Sequence, residues 1–267
     1  MMITYAQNRE DVLLQRVFPK DHEGFYIDVG ANDPVHDSVT KHFSLRGWRG
    51  INIEPHPELH RALRDDRPND VNLNVGASDR HATLEFLECV SNSGLSTFSP
   101  SMAEIWRRDD GLEFVARSVP VRPLAAILDE HAEGRTIDFL KIDAEAHEFE
   151  VVSGNDWSRW RPRVVLVEAT FPERWEPLLL KAGYLSAAFD GINLYYVRGE
   201  EPELLGPFKT PASGDDCVPH RARRSAVQQP PSRPPHDRTT RRPRLSRARE
   251  RLARACKRLT GFGAPPA

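Results

Sequence analysis

Three cysteines in 267 residues, Cys89, Cys217 and Cys256, are too few and too widely spaced for a disulfide framework or a four-thiolate zinc site. A reducing compartment is the simple expectation. No apolar run reaches the roughly 18 residues that a membrane-spanning helix needs. The opening residues, MMITYAQNRE, carry no apolar signal-peptide core, so a cytoplasmic setting is expected. No internal repeat is visible, and the phosphate-cradling patterns G-x-G-x-x-G and G-x-x-x-x-G-K-[ST] are both missing. The last absence argues against a dinucleotide oxidoreductase and a P-loop nucleotidase.

The charge is uneven. The chain has a net charge of -2, but from Glu201 onward there are 15 Lys/Arg against 6 Asp/Glu. The first 200 residues are therefore acidic and carry a basic tail. The tail begins as a Pro/Arg/Ser-rich stretch without the aromatic and β-branched residues that a core requires. Residues 201–243 are thus expected to be a disordered linker. From 244 to 260, Leu245, Ala248, Leu252, Cys256 and Leu259 recur at spacings of three and four among arginines, the pattern of a short cationic amphipathic helix. Such a helix can lie on an anionic membrane, bind nucleic acid without specificity, or stay solvated.

Residues 1–200 alternate strand and helix patterns. Short apolar runs at 25–29, 51–54, 71–75, 136–143 and 163–169 read as buried strands. Helices are expected at 5–18, 37–45, 57–64, 123–131, 145–153 and 172–182. Further strands are expected at 82–88 and 118–122, while 89–117 reads as irregular. Two strands at 185–189 and 193–197, joined at Asp190-Gly191, read as a hairpin. The fold class is α/β: a mostly parallel, doubly wound sheet with an antiparallel edge hairpin.

Two features suggest a nucleoside-containing ligand. The strand FYIDV stops at Gly30, where backbone can approach a ligand closely. The next strand ends in Glu54, 24 residues after Gly30, where a carboxylate can accept two hydrogen bonds from a ribose diol. Asn32 and Val35 stand where a dinucleotide fingerprint has its second and third glycines. A single close approach suits S-adenosylmethionine, which has no pyrophosphate.

The segments YAQNREDVLLQRVF, FYIDVGANDPVHDSVTKHFSLRGWRGINIEPHPEL, RPNDVNLNVGASD, SGLST, IDFLKIDAEAHEFEVVSG and RPRVVLVEA are collinear and cover most of residues 5–170. In them the chain resembles the FkbM family of S-adenosylmethionine-dependent methyltransferases. The resemblance implies a Rossmann-like class I methyltransferase fold. It implies cofactor contacts at Asp28, Gly30, Asn32 and Glu54, at Ser78 and Asp79 near the adenine, and at Asp143 near the methionine moiety or acceptor. It also implies O-methylation, in this variant of a sugar hydroxyl on a glycan or glycoside, and an opening segment that folds over the site. The sequence departs from the family at Ala146, where glycine is usual.

Methyl transfer to a hydroxyl requires in-line positioning and a base. Asp143, Glu145 and His147 are the candidates, with His147 closest in unperturbed pKa to neutrality. Plainer roles are open to each: Asp143 as a helix cap, Glu145 as a first-turn charge, His147 packed or solvated. Asp143 and His147 are competent metal ligands, so a divalent metal is possible, but no compact ligand cluster stands out to support one. The expected partners are a small-molecule or glycan acceptor and, through the basic tail, an anionic membrane at the inner surface; no specific nucleic acid is expected. The rivals are a methyltransferase for a non-sugar acceptor and a cofactor-binding module without turnover.

Overall fold

The computed structural model describes residues 2–220. Its first half runs β1 (Met2–Thr4), α1 (Glu10–Val17), β2 (Phe25–Val29), α2 (Lys41–Ser44), β3 (Arg49–Ile53), α3 (Pro57–Asp66), β4 (Val71–Leu73), β5 (Gly76–Ser78), β6 (Ala82–Cys89), a 3-10 turn at Ser93–Leu95 and α4 (Pro100–Asp110). Its second half runs β7 (Phe114–Pro123), α5 (Leu124–His131), β8 (Phe139–Ile142), α6 (Glu148–Ser153), β9 (Val164–Glu168), α7 (Pro172–Lys181), β10 (Tyr184–Phe189), β11 (Asn193–Arg198), a 3-10 helix at Pro202–Lys209 and β12 (Cys217–Pro219).

The main sheet has seven strands in the order β10-β11-β9-β8-β2-β3-β4. Six run parallel, and β11 alone is antiparallel to both neighbours. The expected hairpin is present, but its antiparallel member is the inner strand, not the edge. Successive residues of the central strands feed two separate cores. Phe25, Ile27, Val29, Leu140, Ile142, Val165 and Val167 pack with α5, α6 and α7. Tyr26, Phe139, Val164 and Leu166 pack on the other face with α1, Phe43 and Trp48. Burial on both faces explains why these strands read as continuous apolar runs. A second sheet, β5-β7-β6, stands beside the first.

Several elements differ from expectation. The helix expected at 37–45 shrinks to α2, because Asp37 is left-handed (φ 55°) and the stretch before it supplies polar groups to a buried arginine. The irregular stretch 89–117 contains α4. Its signals were legible: Ser99 caps the Met102 amide, Pro100 opens the first turn, and Gly111 ends the helix at φ 66°. The strand expected at 118–122 extends to β7 because it pairs with β6 from Phe114 to Val121. The folded body also continues past residue 200. Phe208 is buried against α1 and Tyr195, and β12 pairs in parallel with β1. The amphipathic helix expected at 244–260, and most of the 201–243 linker, lie outside the described residues.

Candidate functional site

From β2 the chain moves outward to β3 and β4, then returns to the other side of β2 as β8 and β9. Order therefore reverses between β2 and β8, and the crevice beyond their carboxyl ends is where open α/β sheets bind ligands. Gly30 follows β2 there at φ 72°. A Cβ on Gly30 would lie 1.9 Å from the Asp143 carbonyl oxygen, so only glycine lets the β2 loop lie against the end of β8.

Backbone strain concentrates at this edge. Asn32 and Asp37 after β2, Glu145 and Ala146 after β8, and Phe171 after β9 all have positive φ. Strained non-glycine residues gather where a structure is committed to function.

A row of polar residues lies under the crevice. Asn72, Asn52, Asp28 and Lys141 are in register across β4, β3, β2 and β8. Asp28, in the middle of this row, is 1% exposed. Its Oδ2 accepts from Thr40 Oγ1 at 2.6 Å, and its Oδ1 lies 3.2 Å from Lys141 Nζ. Lys141 Nζ also donates to the Gly30 carbonyl at 2.8 Å and stands 3.7 Å from Asp143 Oδ2. Burial opposes the charge of Lys141, but Asp28 and Asp143 outweigh it and hold its pKa above the ordinary lysine range.

Arg67 runs above the row with a fully buried side chain. It donates to Thr40, Asn52, Tyr26, Ser38 and the Pro34 carbonyl, fixing the loop that carries Asn32 and Asp33.

Glu54 closes the β3 side. One carboxylate oxygen accepts from the Asn32 amide at 2.7 Å and the other from the His56 amide at 2.8 Å. Burial raises its pKa to about 7 against the pull of those two amides. Asn32 also accepts from Ser93 Oγ at 3.0 Å, which brings the 93–97 segment to the crevice.

On the β8–β9 side, Asp143, Glu145 and Glu168 bring carboxylate oxygens within 4.8 Å of one another. Among the described residues this is the one grouping able to hold a metal ion, and it equally suits proton transfer. Glu168, at the end of β9, was missed by sequence reasoning; a carboxylate closing a buried parallel strand beside the crevice was the available signal. His147 stands outside this group. Its Nε2 is 3.2 Å from Ser78 Oγ and its ring packs on Phe98. Burial lowers its pKa, while Glu150 works in the opposite direction. Ser78 is buried, and the partly exposed Asp79 pairs with Arg80.

The helix expected from 145 starts only at Glu148. Asp143 does not cap it; instead the Glu148 carboxylate accepts from the Ala144 and Ala146 amides. Burial and nearby Glu168 raise the Glu148 pKa well above the usual range. Ala146 sits at φ 76°, and its methyl packs with the cluster of Leu95, Met102 and Trp106. Ala146→Gly removes about 1 kcal/mol of strain and roughly 0.8 kcal/mol of methyl burial. Its melting temperature should stay within about 2 °C of the parent. Ala146→Val, β-branched at positive φ, should melt at least about 4 °C lower. Thermal unfolding of both variants checks this.

The opening segment crosses the same edge as a strap. Ala6 bridges Asp37, and Asn8 Nδ2 donates to the Asp190 carbonyl in the β10–β11 turn. Glu10 and Asp11 anchor it. Glu10 accepts from the Asn8 amide and from Asn193 Nδ2, and Asp11 accepts from Thr4 and the Tyr5 amide. Burial, then repulsion from Asp190, pushes Glu10 up to about 7.

Comparison with known proteins adds an independent line. A model of the methyltransferase FkbM domain matches residues 28–186. The crystal structure of methyltransferase FkbM from Methylobacillus flagellatus KT is similar, at 16% identity and a TM-score of 0.42, over 66% of this chain and 44% of that one. The present chain thus spans less than half the length of that protein. No curated protein matches. The family match extends from the Asp28 row, through Glu54 and the acidic group, into β10, and covers more than half of the sequence. This chain belongs to the FkbM methyltransferase family.

Proposed function

We propose that this methyltransferase takes its methyl group from S-adenosylmethionine and places it on a hydroxyl of a sugar in a glycan, polysaccharide precursor or glycosylated metabolite, on a Rossmann-like class I fold. The observation that carries the cofactor reading is the pairing of Gly30 with Glu54 across β2 and β3. A buried carboxylate, held by the Asn32 and His56 amides, faces the loop where a nucleoside would lie. Each of its oxygens keeps acceptor capacity for a ribose hydroxyl. That acceptor pair fits the ribose of an adenosyl group, and the loop lacks the further glycines that a pyrophosphate requires.

When bound, S-adenosylmethionine supplies a methyl activated by a sulfonium. Glu54 holds the nucleoside end, and Gly30, which has no side chain, leaves room for it against the β2 loop, with Ser78 and Asp79 toward the adenine. The group of Asp143, Glu145 and Glu168 receives the proton of the acceptor hydroxyl on a carboxylate oxygen. His147 is better placed to support Ser78 than to serve as this base. The strap at 5–9 and the apolar cluster of Leu95, Met102 and Trp106 border the acceptor side and exclude water. The sugar assignment rests on the family variant. No helix among the described residues is long and apolar enough to cross a membrane; a cytoplasmic setting, with the basic tail on an anionic inner-membrane surface, belongs to this proposal.

Calorimetric titration with S-adenosylhomocysteine tests the cofactor reading. The parent should bind in the micromolar range, and Glu54→Ala should weaken binding roughly 30-fold or more, the cost of losing hydrogen bonds to a buried carboxylate acceptor. Absence of binding by the parent would leave a module without cofactor.

A further inference from the structure

The mechanism above leaves one buried ionic group without a task. Lys141 lies on β8, 7% exposed, at the point where three parts of the site meet. Its ammonium touches the Gly30 carbonyl of the β2 loop, the Asp28 carboxylate of the polar row and the Asp143 carboxylate at the end of β8. Asp28 Oδ1 has no hydrogen-bond partner among the described residues, so its only neutralising contact is this ammonium. The Gly30 amide is already committed to the Ile53 carbonyl and the Ala31 amide to the same oxygen. The loop is therefore held toward β3 through its amides and toward β8 through its carbonyl.

We propose that Lys141 is a positioning residue for the cofactor: it fixes the Gly30 carbonyl and the Asp143 carboxylate as one floor across the β2–β8 crevice. This rests on the cofactor reading above and adds a residue to it. The chemistry demands a cation at this point. Two carboxylates and a carbonyl oxygen converge within 4 Å of one atom, and without a positive centre they would repel and splay the crevice. Lysine meets the need with one compact charged head, which donates to the Gly30 carbonyl and stands within ionic distance of both carboxylates.

Two measurements test it. In amide hydrogen exchange without ligand, Lys141→Met should speed exchange in the peptide covering 28–34. The peptide covering Arg161 to Leu166 at the amino end of β9 should be unchanged. In calorimetry with S-adenosylhomocysteine, Lys141→Met should bind roughly tenfold or more weakly than the parent, the scale of leaving buried acceptors unpaired. Asp143→Asn should also weaken binding, and the double variant should lose less than the product of the two single losses, because both act on one floor. If Lys141→Met does not fold, Lys141→Arg carries the test: its planar head cannot reproduce the three contacts, so exchange at 28–34 and the dissociation constant should both rise. Parent-like exchange and affinity in whichever variant folds, or fully additive losses with Asp143→Asn, would overturn the proposal. Faster loop exchange in a protein whose parent form does not bind S-adenosylhomocysteine would remove the cofactor reading and leave Lys141 as the anchor of the loop.

Discussion

Replacing Gly30 with alanine should abolish detectable binding of S-adenosylhomocysteine and lower the melting temperature by about 5–15 °C, from a destabilisation of roughly 2–5 kcal/mol. Two costs add. The left-handed φ of 72° penalises any Cβ, and here the Cβ would also overlap the Asp143 carbonyl oxygen at 1.9 Å. Neither strand can retreat cheaply, because β2 and β8 are paired in register from Tyr26–Phe139 to Val29–Ile142 and buried on both faces. Gly134 is the control. It has the same φ of 72° but nothing within 4 Å of an added Cβ, so Gly134→Ala should cost only about 1 kcal/mol and leave binding intact. Thermal unfolding and calorimetry on the two variants separate strain from collision. Equal losses in both would mean that the crevice is not formed by this contact.

Arg67→Met carries the second large effect, about 3–5 kcal/mol of stability lost and a melting temperature lower by roughly 10 °C or more. The guanidinium donates to five acceptors on four segments, among them the Pro34 carbonyl and Ser38 of the β2 loop. Methionine fills much of the volume but leaves those acceptors buried and unpaired. Arg67→Lys should recover little, since one ammonium cannot span both the Thr40–Asn52 side and the Pro34–Ser38 side. Because Thr40 also donates to Asp28, the damage should reach the floor of the crevice and weaken cofactor binding as well. Chemical denaturation of both variants, followed by titration with S-adenosylhomocysteine, tests this; a parent-like midpoint for Arg67→Met would show that the network contributes nothing net.

The strand core was readable because strands buried on both faces are mostly apolar, and Gly30 and Glu54 were readable because a glycine and a carboxylate close two successive apolar strands 24 residues apart. Asp28 was also visible as a strand-end carboxylate, but its contacts with Thr40 and Lys141 needed the register of the sheet. Arg67 and Lys141 were hidden for a related reason. In sequence each is an ordinary charge, and only the register across four strands shows that Lys141 stands beside Asp28 and Asn52 beside Asn72. His147 was favoured as a base on intrinsic pKa, whereas the backbone turn at Glu145–Ala146 sends its ring to Ser78. That turn was the one local departure the sequence did announce, through alanine at a position where the backbone is left-handed. Glu168 offered the same strand-end signal as Glu54, but its place beside Glu145, 23 residues earlier, needed the third dimension.

The parallel pairing of Met2–Thr4 with Cys217–Pro219 places the first and last of the described residues side by side, and the stacking of Tyr5 on His220 seals the junction. Anything genetically joined ahead of Met2 or behind His220 is thereby delivered to the rim that the strap crosses. A purification handle at either end would share that space with an incoming acceptor, and a fused domain there would act at the elevated local concentration of a tethered partner. The architecture also suits circular permutation, with the old ends linked and new ones opened at the exposed turn around Gly134, on a loop remote from the Gly30 crevice.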